Sequence, residues 1–153
     1  MIIYLYTDGA AKGNPGPGGY GIVLEAGKYR KELSGGFRKT TNNRMELLAV
    51  IVGLEALKKP ASQVRVVSDS KYVVDAINKG WLKSWIQKDF KAKKNVDLWK
   101  RMVPLLHKHQ VSFHWVKGHN DHPQNERCDR LAVAASEGPG LPPDHGFETQ
   151  DRS

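Results

Sequence analysis

The chain has 153 residues, 39% of them hydrophobic and 26% charged, a length that fits one domain able to bury its own core. Cys128 is the sole cysteine, which excludes an internal disulfide, and no stretch approaches the roughly 18 apolar residues of a membrane span. Lys and Arg outnumber Asp and Glu by 24 to 16, for a net charge of +8 and a pI near 9.6, a balance that favours polyanionic partners, nucleic acid first, over a merely soluble basic surface.

The opening segment IIYLYTD (2–8) is rich in β-branched and aromatic residues and reads as a strand. It lacks the basic flank of a signal peptide, so a cytoplasmic protein is expected. GAAKGNPGPGG (9–19) reads as a loop. GYGIVLEAG and YRKELSGGF follow as two strands turned at Gly27 into hairpins. NNRMELLAVIVGLEALKK (42–59) predicts a long helix stopped by Pro60. VRVVSD (64–69) is a short apolar run of the kind that forms a buried strand. SKYVVDAINKG (70–80) predicts a helix closed by Gly80. In 81–90, Trp81, Leu82, Trp85, Ile86 and Phe90 fall on one helical stripe. A helix over 95–109 carries Pro104 as an expected kink. VSFHWV (111–116) reads as a strand and QNERCDRLAVAASE (124–137) as a final helix.

No internal repeat is present. The order β-β-β-α-β-α-α-α-β-α predicts an α/β fold, with a five-stranded mixed sheet of three antiparallel and two parallel strands, helices on both faces and a basic helical protrusion. The domain is expected to span 1–137, and the Gly/Pro-rich remainder, 138–153, to be a flexible tail.

Four acids stand out by position. Asp8 and Asp69 close the first and fourth strands, and α/β sheets gather their sites at such strand ends. Asp8 could instead start an Asx turn, and Asp69 could cap the helix beginning at Ser70. Glu46 lies one turn into an otherwise apolar helix. It either completes a capping box with Asn43 or needs a proton, a cation or a metal on a buried face. Asp129 lies early in the last helix, where the helix dipole or a surface mixture with Glu126, Arg127 and Arg130 would account for it equally well. Were the four to converge, repulsion would keep them from ionising together unless cations joined them. Carboxylate oxygens suit Mg²⁺ or Mn²⁺ rather than zinc. Two such ions about 4 Å apart can clamp the attacking and leaving oxygens of a phosphodiester. A basic protein so equipped is a candidate nuclease.

Residues 79–101 carry Lys79, Lys83, Lys88, Lys91, Lys93, Lys94, Lys100 and Arg101 against only Asp89 and Asp97, together with three of the four tryptophans. Basic charge interleaved with aromatic rings suits a nucleic-acid groove. The alternative for most of these rings is packing beneath a protruding helix.

The blocks TDGAAKGNPGPGGYG, TTNNRMEL, SDSKYV, KNVDLW and WVKGHNDHPQNERCD occur in that order from the first strand to about Ala135. They resemble the signature blocks of bacterial type 1 ribonuclease H. The resemblance implies that Asp8, Glu46, Asp69 and Asp129 bind two Mg²⁺ ions, with Mn²⁺ able to substitute. It implies sequence-nonspecific hydrolysis of the RNA strand of an RNA/DNA hybrid, leaving 5′-phosphate and 3′-hydroxyl ends. His119, in KGH, matches a mobile-loop histidine that assists proton transfer or product departure. Thr41, Asn42 and Asn43 resemble a segment that touches phosphate and minor-groove groups, and Asn95 a phosphate-pocket partner. The protrusion would straddle the DNA strand, with Trp81 meeting a deoxyribose and Lys91, Lys93 and Lys94 supplying affinity. Asn14 and glycines 9, 13, 16, 18 and 19 would lie against the minor groove.

Two departures are visible. Lys71 stands where relatives carry a glutamine that reaches the RNA strand, and it can contact phosphate instead. The basic region between Lys79 and Asn95 is a few residues shorter. A monomer without a small-molecule cofactor or membrane contact is expected. A non-catalytic binder of hybrids or double-stranded RNA would not need four acids facing a polyanion, and the blocks GNPGPGG, TNNRMEL and NERCD disfavour a resolvase- or integrase-like nuclease.

Overall fold

In the computed structural model, which describes residues 2–60, 63–117 and 122–150, the elements run β1 (Ile3–Ala11), β2 (Gly16–Ala26), β3 (Tyr29–Thr40), α1 (Asn42–Glu55), β4 (Val64–Ser68), α2 (Lys71–Asn78), α3 (Trp81–Gln87), α4 (Val96–Lys108), β5 (Val111–Trp115), α5 (Pro123–Ser136) and α6 (His145–Gln150). One sheet has the order β3-β2-β1-β4-β5. β1, β2 and β3 pair antiparallel, and β4 and β5 continue from β1 in parallel. This is the mixed sheet the sequence predicts. No helix among the described residues is long and apolar enough to cross a membrane.

The Gly/Pro stretch differs from expectation. Strand geometry runs through most of it, because β1 continues to Ala11 and β2 begins at Gly16, leaving only 12–15 as the connection. Asp8 therefore lies inside β1, paired with Gly21, rather than at its end. Parallel pairing with β4 stops at Tyr6 opposite Val67. Asp8 thus keeps a neighbouring strand on one side and loses it on the other.

The glycines of this hairpin seat helices. Gly9 faces α1, where an added Cβ would lie 2.5 Å from the Glu46 nitrogen. Gly19 and Gly21 face the other side, where a Cβ would strike the main-chain oxygens of Ala132 and Cys128 in α5. Directly paired residues share a face, so Asp8, opposite Gly21, points to the α5 side. At Gly9, Gly18 and Gly19 helix and neighbouring-strand atoms fill the space a side chain would take.

Two unequal cores result. The larger joins Leu5, Ile22, Met45, Leu47, Ile51, Trp99 and Met102 on the α1 side. Because β1 and β2 lie on one flank of α1 and α4 and α2 on another, α1 is apolar nearly all round. The smaller core holds Tyr6, Val23, Val67 and Cys128 beneath α5. The expected tryptophan stripe splits. Leu82 and Phe90 are buried and Trp85 meets Trp99 edge-on, while Trp81 and Ile86 are each 43% exposed. The cause is local: α3 ends at Gln87, and Asp89, Phe90, Ala92 and Asn95 all take positive φ. That geometry departs from the helical course and carries Phe90 inward.

The segment read as a flexible tail is packed, as far as it is described. Arg44, 1% exposed in α1, donates through Nε and Nη2 to Asp144 at 2.8 and 3.0 Å, and through Nη1 and Nη2 to Asp97 at 2.8 and 2.7 Å. Thr40 Oγ1 donates to Asp144 at 2.7 Å, and Arg38 forks onto Glu148. A buried guanidinium needs both carboxylates to offset its lost hydration. Removing one partner of a buried pair costs about 3–5 kcal/mol. Because Asp97 remains, Asp144→Ala is expected near the lower end of that range, as measured by urea unfolding.

Candidate active site

The acids gather where β1 outruns β4. Asp8 comes from β1 and Glu46 from the second turn of α1, and Asp69 is the residue immediately after β4. One carboxylate oxygen from each lies within 4.8 Å of the other two. With Asn42, Asn43, Lys71, Tyr72 and Asp129 they line an open cavity of about 360 Å³. Asp129, on α5, borders this cavity but stands outside the close group of three.

The capping alternatives fall to other residues. Thr41 caps α1, its Oγ1 accepting from the Arg44 nitrogen at 3.2 Å, so Glu46 is not required there. Ser70 caps α2 by accepting from the Val73 nitrogen at 3.3 Å, which removes that duty from Asp69. The Gly9 N–H donates both to Asp8 Oδ1 at 2.9 Å and to Glu46 Oε1 at 2.7 Å. Glu46 Oε2 is buried and has no hydrogen-bond partner among the described residues.

Burial dominates the electrostatics. Asp8 and Glu46 are only 4% and 7% exposed. Loss of hydration pushes the Asp8 carboxyl up to about 7; the charges of Asp69 and Asp129 add to that, and the hydrogen bond from the Gly9 N–H holds it down in part. Glu46 is raised well above the ordinary carboxylate range, first by burial and then by the charge of Asp8. Hard oxygen donors, one of them orphaned and two resisting ionisation, fit a site completed by divalent cations.

The RNase H family profile matches residues 2–137. The chain belongs to the ribonuclease H family. It is 56% identical over 151 residues to the ribonuclease H of Trichodesmium erythraeum, covering 95% of this chain and 96% of that one. It is 58% identical over 147 residues to that of Desulforamulus reducens, covering 93% and 92%. Among solved structures, LC9-RNase H1, a type 1 RNase H with the type 2 active-site motif, superposes with a TM-score of 0.81 at 32% identity over 97% of this chain and 80% of that one. LC11-RNase H1, solved in complex with an RNA/DNA hybrid, gives 0.63 at 28% identity over 88% and 96%. The resemblance to bacterial type 1 ribonuclease H holds.

Within this ribonuclease H, the polar residues expected at the substrate divide. Asn42 and Asn43 are exposed at the cavity edge, and the Asn42 nitrogen donates to Asn14 Oδ1 at 3.2 Å, tying the hairpin tip to the start of α1. Asn95 is buried. Its Nδ2 donates to Tyr72 Oη at 3.1 Å and its Oδ1 accepts from Arg44 Nη1 at 3.4 Å, and it does not line the cavity. Trp81, Lys91, Lys93 and Lys94 are exposed away from the acids, with Lys79 Nζ 5.4 Å from the Trp81 ring centroid and Lys93 Nζ 5.1 Å from that of Trp85. His119 lies outside the described residues. Trp115, the tryptophan outside the basic window and the first residue of the block WVKGHNDHPQNERCD, had no role assigned from the sequence; its Nε1–H donates to the main-chain oxygen of Asp69 at 3.0 Å.

The raised carboxyl of Asp8 sets a pH dependence. A carboxyl whose folded pKa lies above its unfolded value favours folding at low pH and loses that contribution as pH rises through the folded value. In a chelator, Tm is therefore expected to fall between about pH 4 and 7, by about 2–4 °C per kcal/mol lost. Divalent cation should reverse the fall, as scanning calorimetry at matched ionic strength would record.

Proposed function

We propose that the chain is an endonuclease that hydrolyses the RNA strand of RNA/DNA hybrids without regard to sequence, leaving 5′-phosphate and 3′-hydroxyl ends. The observation that carries this reading is the meeting of Asp8, Glu46 and Asp69 at one rim, with Glu46 Oε2 unpartnered, in a protein of net charge +8. A pure binding surface for a polyanion gains nothing from buried acids. The hybrid bound to LC11-RNase H1 supports the choice of substrate.

Asp8, Glu46, Asp69 and Asp129 are assigned as the holders of two Mg²⁺ ions, with Mn²⁺ able to substitute. When bound, the pair supplies Lewis-acid activation of water and neutralises charge at the scissile phosphate. The chain's own groups do the rest. The Gly9 N–H fixes the carboxylates of Asp8 and Glu46 against each other. Asn42 and Asn43 present amides at the cavity edge, where a 2′-hydroxyl that both donates and accepts marks the RNA strand. Thr41 and Asn14 hold that edge in place. Lys71 meets a phosphate beside the site. Asn95 supports the phosphate pocket through Tyr72 and Arg44. Trp81 and the lysines at 91, 93 and 94 grip the DNA strand by ring contact and charge. His119 is assigned to proton transfer or product departure. The protein works as a cytoplasmic monomer without a small-molecule cofactor.

Labelled RNA/DNA, RNA/RNA and DNA/DNA duplexes offered with Mg²⁺ or EDTA test this reading. Only the RNA of the hybrid should be cut, with EDTA abolishing the cut and end analysis finding 5′-phosphates. Asp69→Asn should retain hybrid binding and lose at least about 100-fold in kcat. Turnover at the wild-type rate in that variant would overturn the metal assignment.

Electrostatic grip has its own signature. Replacing Lys91, Lys93 and Lys94 with Ala should weaken binding and reduce the slope of log Kd against log salt by about one for each lysine that meets a phosphate. An unchanged slope would remove these lysines from the interface.

A further inference from the structure

Trp115 ends β5 beside the acids, and 44% of its surface is exposed. A large ring left half in water at the end of a strand contributes little to the core. Its polar contact is specific. The indole Nε1–H donates to the Asp69 carbonyl at 3.0 Å, and the next residue, Val116, donates its main-chain N–H to the Ser68 carbonyl at 3.0 Å. Two consecutive carbonyls at the end of β4 are thus held by two consecutive residues at the end of β5.

On its inner side the same turn is fastened by Ser68 Oγ, which accepts from the Ser70 nitrogen at 3.0 Å. The indole fastens it from the neighbouring strand. Asp69 reaches the acid group from a turn just past the sheet, so the direction of its carboxylate follows from how that turn is held.

The ring has a second partner. Lys71 Nζ lies 4.9 Å from its centroid. Lys71 is the one basic residue among those described as lining the acid cavity. A cation over an exposed ring face is held loosely enough for a phosphate to draw it off, and it stays near while it waits. The same side chain therefore holds the backbone of one acid and the position of the one cation among the described residues at the rim.

We propose that Trp115 is a positioning residue of this site: its indole N–H sets the backbone from which Asp69 projects, and its ring aims Lys71 at the phosphate of the bound strand. The inference rests on the nuclease reading above. The two roles are separable, because the N–H and the ring face are different parts of the side chain. Trp115→Phe keeps a ring beneath Lys71 and removes the N–H. Trp115→Leu removes both. Lys71→Gln removes the cation alone.

Steady-state kinetics, Mn²⁺ titration calorimetry and hybrid binding by fluorescence anisotropy in EDTA separate the roles. Groups that orient metal ligands cost about 10–100-fold in metal affinity or activity when lost. Trp115→Phe is thus expected to lower kcat and Mn²⁺ affinity each by about tenfold, with KM and the salt slope of hybrid binding near wild type. Trp115→Tyr, which lacks a donor at the same place, should repeat that pattern. Lys71→Gln is expected to raise KM and to lower the salt slope by about one, and Trp115→Leu to combine both defects. Wild-type kcat and Mn²⁺ affinity in both Trp115→Phe and Trp115→Tyr would overturn the positioning role, and a wild-type salt slope in Trp115→Leu would overturn the aiming of Lys71. A wild-type chain that cut no hybrid and bound no Mn²⁺ would instead overturn the nuclease reading on which both depend.

Discussion

α1 descends onto β1 at Gly9, and the arrangement of the acids depends on that approach. The helix backbone at Glu46 lies where any side chain on Gly9 would begin. Contact this close lets one main-chain N–H serve the carboxylates of Asp8 and Glu46, from a strand and a helix. Asp8 rises from a strand on the α5 side, and Glu46 comes down from a helix on the other. They meet because the sheet has no strand between them once β4 has ended. A methyl group at position 9 would push the helix away and separate the pair before it touched either carboxylate.

Charge is sorted over the molecule accordingly. Acids that cannot be hydrated collect at one rim, and the lysines of 79–94 stay on exposed surface around α3. Two of those lysines rest on aromatic faces, Lys79 on Trp81 and Lys93 on Trp85. The rings thus take part in the electrostatics as well as the packing. Buried Arg44 is the exception, a cation inside the protein, and two carboxylates on different elements neutralise it there.

Much of this was legible in the sequence, because period and punctuation are local. The apolar run 64–69 and the signature blocks each state their structure within a few residues, whereas α1 ends at Glu55, short of the stop expected at Pro60. What failed was what only a partner decides. Glycines 9, 18 and 19 resemble loop residues until the packed helices and strands that demand them are known. The last segment looked loose because its one decisive residue, Asp144, finds Arg44 a hundred positions away. Phe90 fell off its predicted stripe through a run of positive φ that side-chain periodicity does not encode. Trp115 opens the last signature block, yet its role was not legible there, because its bond runs to a main-chain oxygen just past another strand.

The unequal cores have a consequence for how the molecule comes apart. α1, β1 and β4, on or just past which the three close acids stand, are anchored in the large cluster, whereas α5, bearing Asp129, stands on a cluster with four buried residues. Layers with less apolar contact open at lower free energy. In slow amide exchange α5 should lose its protection ahead of the sheet centre, swinging one acid aside while the trio keeps its shape.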